Sequence, residues 1–364
     1  MNTHADPQPV PTAIDPVAAN PALGYRSRIG RRLALVGLLT AFLFVSFMVD
    51  ITNGPGNFSL KIVFDTLLDA RAHGVKLEVV VWDYRLPVAV TAILVGAMLG
   101  AAGAEMQTIL NNPLAEPFTL GVSSAASFGA ALAIVTGMSV IPNIGPLIVT
   151  INAFFFALGT CALLLLASRL RGAGADTMVL FGIAIFFTFN ALLAMMQYAA
   201  SEDELSRIVF WMMGSLSRAS WEKIQLGALL LALILPFCML RSWQLTALRM
   251  GEETARSMGV DVGRLRIELL ICISLLAATA VSFVGTVGFV GLVGPHIARM
   301  LVGEDQRFFL PLSAIVGALV LSIASIVSKT VTPGVLYPIG IVTALIGVPV
   351  FVSLILSTRK EKLR

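Results

Sequence analysis

The sequence predicts an all-α polytopic membrane protein with about ten transmembrane helices. Composition is the first observation: of 364 residues, 57% are hydrophobic and only 13% charged, with a mean hydropathy of +0.90, outside the range of soluble domains. The second is the number of apolar stretches able to cross a hydrocarbon layer of about 30 Å. The third is the segment GTVGFVGLVGPHIARMLVG at 285–303. Its glycines at 285, 288, 291 and 294 would leave one helix face bare, so that neighbouring backbones can approach closely.

Taken in order, residues 1–24 contain five prolines and no Lys or Arg, which is neither the basic start of a signal peptide nor a foldable core. A disordered tail is expected there, and a single transmembrane domain over 25–364. Ten spans follow, at about 33–49, 86–105, 118–137, 146–167, 178–200, 224–240, 267–284, 285–303, 309–328 and 337–357. Residues 50–84 are mixed in polarity and predict a small external cap of short helices. The polar stretch 201–223 should lie on the same side. An even number of spans puts both termini together. With the ends inside, cytoplasmic segments hold 17 of the 25 Lys and Arg, so both termini are expected in the cytoplasm. Segments 86–117 and 267–299 both run from an apolar helix through glycines into a Pro-containing turn, which hints at two five-helix halves.

Several chemistries are disfavoured by what the chain contains. Cys161, Cys238 and Cys272 each lie inside an apolar run, where they act as small hydrophobes rather than a disulfide framework. The net charge of +4 records membrane topology rather than a nucleic-acid partner. The sequence has no GxxxxGK[ST] phosphate loop, so no ATPase site of its own is expected. His296 and Arg299 could serve proton or metal chemistry, but one His without a second ligand is a poor metal site, and no metal is expected. An ion-coupled secondary transporter would need an ionisable group or a broken helix near the midplane, whereas the charged residues fall at span ends. Glu105 is placed at the inner interface. An intramembrane enzyme would need a nucleophile with its base, or a motif such as HExxH, and neither is present.

The segment LTALRMGEETARSMGVDVGRLR, within 241–266, predicts a short amphipathic helix on the cytoplasmic side. Leu248, Ala255 and Met258 can share a face, and Glu252 with Arg256 makes an i,i+4 pair. Gly259 followed by Val260 fits a left-handed helix terminator. At the inner end of the second span, Gln107, Asn112, Pro113 and Pro117 make a polar turn, since Asn-Pro disfavours helix at Asn112. That turn is either architecture or part of an inner gate. So are Gly294, Pro295, His296 and Arg299.

The blocks RLP at 85–87, QTILNNPLAEPFTLGVSSAAS at 107–127, WMMGSL at 211–216, GEETARSMGV at 251–260, GFVGLVGPHIARMLVG at 288–303 and YPIGIVTALIGVPVF at 337–351 together resemble the FecCD-type permease subunits of ABC importers for ferric siderophores, haem and cobalamin. The resemblance spans roughly residues 80–357. It implies a type II ABC importer permease fold of two inverted five-helix halves, set in the bacterial inner membrane. It also implies three partners: an ABC ATPase, a periplasmic or surface substrate-binding protein, and a second permease chain, identical or related. No cofactor is implied for this chain, ATP and magnesium belonging to the ATPase. The cargo implied is a ferric siderophore, with haem or cobalamin as alternatives.

The resemblance also assigns roles. Gly251, Glu252, Ala255, Met258 and Gly259 match the coupling helix that sits in a groove of the ATPase. Without it, the other reading of the segment is a solvated loop helix with no partner. Arg85 and Lys329 match basic residues that receive carboxylates from the binding protein; interfacial snorkelling is the other reading. Here the sequence departs from the pattern, with Val88 where many members carry a second Arg, and Ser325 and Leu336 in place of acidic residues. Thr188, Asn190 and Gln197 fall on the span that lines the pathway in the family. Asn190 could equally tie two helices together.

Overall fold

The computed structural model describes residues 21–361 except 55, 57, 143, 144, 172–174 and 333. The chain begins with α1 (Pro21–Thr52), so the helix starts inside the segment expected to be a tail; the rest of that segment, 1–20, lies outside the described residues. A cap follows, formed by α2 (Leu60–Leu68) and α3 (Val75–Glu78), and α3 passes through a π-helical turn at Val79–Arg85 into α4 (Leu86–Ile109). After a 3-10 turn at Pro117–Leu120 come α5 (Val122–Thr136), α6 (Ile148–Arg171) and α7 (Ala175–Ala199). Ser201 then opens α8 (Glu202–Met212) through a capping box with Glu204, satisfying two orphan N–H groups at once. The remaining helices are α9 (Trp221–Leu240), α10 (Ser242–Arg249), α11 (Glu252–Ser257), α12 (Val262–Val284), α13 (Val290–Val302), α14 (Gln306–Thr330) and α15 (Ile339–Glu361).

Among the described residues, seven helical stretches are long and apolar enough to cross a membrane. Three shorter apolar helices, α5, α13 and the apolar part of α15, complete the expected ten. The chain alternates between two ends. The cap end carries α2, α3, the π-helical turn and α8, and there Trp221 at the start of α9 donates its indole N–H to the Trp82 carbonyl at 3.2 Å. The two-helix end carries α10 and α11.

Helix α4 is the hub. From Pro87 to Ile109 nearly every side chain is buried, which explains why it is apolar all round rather than striped. It packs on α14, α13, α12 and α9. Its crossing with α14 is close: a Cβ on Gly100 would sit 2.2 Å from the Ser313 carbonyl, and one on Gly96 would sit 2.5 Å from the Gly317 carbonyl. Small residues let these backbones meet, and dispersion replaces a hydrophobic driving force that lipid cannot supply.

The structure corrects the reading of 285–303 as one continuous packing helix. Residues 285–289 are not helical; α13 starts at Val290, with Phe289 at its N-cap in the left-handed region at φ 68°. Gly285 and Gly288 therefore fall outside the helix, and only Gly291 and Gly294 pack within it. The cause lies in the sequence, where glycine at 285 and 288 removes the helix preference. The span expected at 118–137 is likewise shorter, opening with a 3-10 turn. The breaks after α4 and after α12 come together around one cavity, lined by Glu116 and Phe118 from the first and by Thr286, Gly288 and Phe289 from the second.

Candidate functional site at the two-helix end

The expected single amphipathic helix is two helices, α10 and α11, with a break between them. Gly251 separates them at φ 113°, a conformation that costs an L residue a steric clash. Leu245, Leu248 and Ala255 are buried against the bundle, whereas Trp243 and Met250 are exposed. Met258, expected to share the buried face, is 44% exposed; it caps α11, where the chain has already left helical register. The terminator is as expected: Gly259, at φ 84°, donates to the Arg256 carbonyl and Val260 to the Ala255 carbonyl, both at 3.0 Å. These two bonds satisfy carbonyls at the helix end, and Val260 buries its side chain beneath them.

Behind the two helices lies a polar lattice. Glu252 pairs with Arg256 at 3.4 Å and also with Arg266, tying α11 to α12. Arg249 of α10 pairs with Glu304 and donates to Asn111 Oδ1 at 2.9 Å. Glu304 also faces Arg299 of α13 at 3.5 Å, and Arg299 donates to Gln107 Oε1 of α4 at 2.7 Å. Gln306 donates to Thr108 Oγ1 at 3.1 Å. Asp305, at the N-cap of α14, pairs with Arg32 at 2.9 Å and Arg307 at 2.8 Å; the Arg307 hydrogen bonds hold its carboxyl below the usual value. A groove of about 700 Å³ opens beside this lattice, lined by Trp243, Thr246, Arg249, Met250, Glu304 and Arg307 among others.

Of the gate candidates, Gln107 and Arg299 are thus brought together. Asn112 accepts from the Leu114 backbone N–H at 2.9 Å, so Asn112 and Pro113 form a local turn. Gly294 packs on Gly317 and the Ser313 carbonyl. Pro295 is buried in α13, where its missing N–H leaves the Gly291 carbonyl without a helical donor. His296 is half-buried one residue on, and no group of three ligating side chains gathers among the described residues.

At the cap end the structure corrects the picture of two cations standing ready for carboxylates. Arg85 is 2% exposed; it donates to the Ile51 and Thr52 carbonyls at 3.2 and 2.8 Å, reaches the Gly56 carbonyl, and lies over the Phe58 ring at 4.6 Å. Lys329 pairs with the buried Asp50 carboxylate at 2.8 Å, and Ser325 donates to the same carboxylate. Both charges are used within the chain. Asp50 supplies the acid that Ser325 lacks, and sequence reasoning missed it although an Asp closing an apolar span was visible.

The pathway candidates are not assembled into one site. Thr188 is exposed and bonds back to Ala184 O at 2.8 Å. Asn190 donates to Ser124 Oγ at 3.0 Å, tying α7 to α5, and Gln197 lies 3.5 Å from Met212 Sδ. A cavity of about 650 Å³ lies elsewhere, beside the broken 285–289 segment, with Glu116, Phe118, Met213, Thr286, Phe289 and Leu345 in its wall. Glu116, also missed, is buried. Glu105, near the end of α4 expected to be the inner one, is fully enclosed by protein. The break at 285–289 is a discontinuity inside a run that the sequence read as one helix, whereas Asp50 and Glu105 lie near the ends of α1 and α4.

Comparison with known proteins decides the family. The profile of the FecCD transport family matches residues 40–357. The chain belongs to the FecCD transport family. It is 38% identical over 333 residues to an ABC transporter permease protein of Methanocaldococcus jannaschii, covering 89% of this chain and 94% of that one. It is 32% identical over 329 residues to the hemin transport system permease protein of Yersinia pestis, covering 89% and 97%. Further relatives, at 33% to 35% identity, are named for import of Fe(3+)-citrate, vitamin B12 and molybdate. A solved structure described as an inward-facing conformation of a metal-chelate type ABC transporter matches with a TM-score of 0.76 and 31% identity, over 89% of this chain and 99% of that one. This FecCD-family chain is accordingly an ABC importer permease subunit, and its apolar helices are the membrane bundle.

Proposed function

We propose that the chain couples ATP hydrolysis on a separate ATPase to passage of a ferric siderophore delivered by a substrate-binding protein. The observation that carries this reading is the two-helix segment. It turns Trp243, Met250 and Met258 outward while Arg249 and Glu252 fasten it to α4, α12 and α13. Such a segment can receive a push from a partner and pass it into the bundle as a rigid body. In this reading the two-helix end faces the cytoplasm with both termini, as the bias of Lys and Arg supports. The membrane is the bacterial inner membrane, a second permease chain completes the pathway, and ATP and magnesium stay on the ATPase. Relatives named for hemin and Fe(3+)-citrate favour an iron chelate, while those named for vitamin B12 and molybdate define the competing cargoes.

The test is affinity purification of the detergent-solubilised chain from its host, followed by uptake assays in vesicles. A P-loop ATPase should co-purify, and uptake of a radiolabelled ferric siderophore should require ATP. A chain that purifies alone, with uptake persisting after ATP depletion, overturns the reading. Uptake of hemin, cobalamin or molybdate in place of the siderophore overturns the cargo alone.

A further inference from the structure

Helix α2 is amphipathic in a way the protein itself uses only in part. Val63 and Thr66 are buried, on the side that meets Ile51, Val81 and Ala89. Leu60, Phe64 and Leu68 recur at i, i+4 and i+8, forming one stripe on the adjoining face. They are 61%, 51% and 75% exposed. Only past that stripe, around the helix, do the charged residues Lys61 and Asp65 appear, and Asp65 pairs with His73 at 3.5 Å. The apolar arc is thus wider than the bundle covers. A short helix with protein on one flank, a bare apolar stripe next to it and charges beyond has the pattern of a helix lying in a membrane interface.

Two observations set its depth. Trp82 donates its indole N–H to the Thr66 carbonyl at 3.0 Å, which ties α2 to a residue type that collects at the membrane–water boundary. The lipid-facing side of α1 leads to the same place: Phe42, Val45 and Val49 are exposed along one stripe that ends next to the cap. The stripe on α2 begins only eight residues beyond the end of α1.

We propose that α2 is a monotopic foot resting in the lipid leaflet at the cap end, with Leu60, Phe64 and Leu68 immersed at the boundary of headgroups and acyl chains. The cap is then membrane-supported and does not project freely into water. This holds whichever cargo the importer carries, and it does not depend on the ATPase.

The experiment is site-directed spin labelling of the full chain in phosphatidylethanolamine–phosphatidylglycerol vesicles, with no binding protein present. Single variants Phe64→Cys, Leu68→Cys, Lys61→Cys and Asp65→Cys are compared; the native thiols are buried. Collisions with oxygen should exceed those with a water-soluble nickel chelate at 64 and 68, and the order should reverse at 61 and 65. Equal nickel access at all four sites overturns the proposal and frees the stripe for a delivering protein. Exclusion of both reagents at 64 and 68 also overturns it, because protein would then cover the stripe. Should the labelled variants fail to fold, Leu68→Trp with brominated lipid gives an independent reading: quenching at least twofold above that of Lys61→Trp supports immersion, and equal quenching overturns it.

Discussion

Arg249 of α10 donates to the side-chain oxygen of Asn111 at 2.9 Å, across 138 residues of sequence. That bond, with the Arg249–Glu304 pair, is the physical route from the two-helix segment to the hub helix α4. Replacing Arg249 with Ala removes charge-assisted hydrogen bonds worth roughly 1.5–3 kcal/mol each. ATP-driven uptake should fall at least tenfold while membrane insertion is kept, and Arg249→Lys should restore little because a point charge cannot reach Glu304 and Asn111 together. Uptake in proteoliposomes beside a membrane-fraction immunoblot measures both.

Gly259 carries a different kind of constraint. No heavy atom lies within 4 Å of the position its Cβ would take, so any penalty there is conformational and not steric against a neighbour. Gly259→Val should cost at least about 1–2 kcal/mol and loosen the end of α11. ATPase activity should then run without uptake. Gly259→Asn, which tolerates the left-handed region, should retain most of the coupling.

At Gly103 the constraint is space. A Cβ there would lie 1.8 Å from the Gly291 carbonyl, and backbone on both sides leaves no flexible atom to yield. Gly103→Ala should force α4 and α13 apart and lower stability by about 3 kcal/mol or more. Gly159→Ala, with nothing within 4 Å, should be silent. Thermal melts in detergent separate the two.

The Asp50–Lys329 pair gives a double-mutant test. Lys329→Met alone leaves a buried carboxylate unpaired and should cost about 3–5 kcal/mol. Asp50→Asn combined with Lys329→Met should recover most of that loss. If the single variant is as stable as wild type, the pair contributes nothing to holding α1 on α14.

Asp305 gives a pH dependence with a defined sign. Its carboxyl is held below the usual value by Arg307, so its ionised form favours the folded state. The contribution is complete above about pH 4, near the unfolded value, and disappears as pH falls through the lower folded value. Asp305→Asn keeps the helix cap but loses the charge. Its melting temperature should lie below wild type at pH 7, with the gap closing on acidification into that range.

Much of the bundle was legible in the sequence because lipid imposes long apolar runs, and each of the ten runs contains a helix. The Gly259–Val260 terminator was legible too, since its chemistry is local. What escaped was set by distance or by ambiguity. Asp50 and Lys329 are 279 residues apart, and no periodicity links them. An apolar run rich in glycine reads the same whether helical or extended, which hid the break at 285–289 and with it Phe289. Met258 was misplaced because a helical projection was carried one residue past the point where the helix ends.

Helix α13 has 13 residues, a rise of about 20 Å, so it cannot cross the hydrocarbon alone. The five residues before it must carry the chain through the rest of that depth with their peptide groups bare of a helical ladder. Lipid cannot solvate such groups. The Gly340 amide reaches the Met213 carbonyl at 3.0 Å, the Ser215 amide reaches Val284, and the Thr286 hydroxyl reaches Met212. The Thr286 bond is made by the stretch itself, and the other two tie together the segments that flank it. Any rearrangement that widens the neighbouring cavity must therefore move the start of α15, the turn after α8 and the 285–289 segment as one insulated cable, because parting them would strip live polar wire into oil.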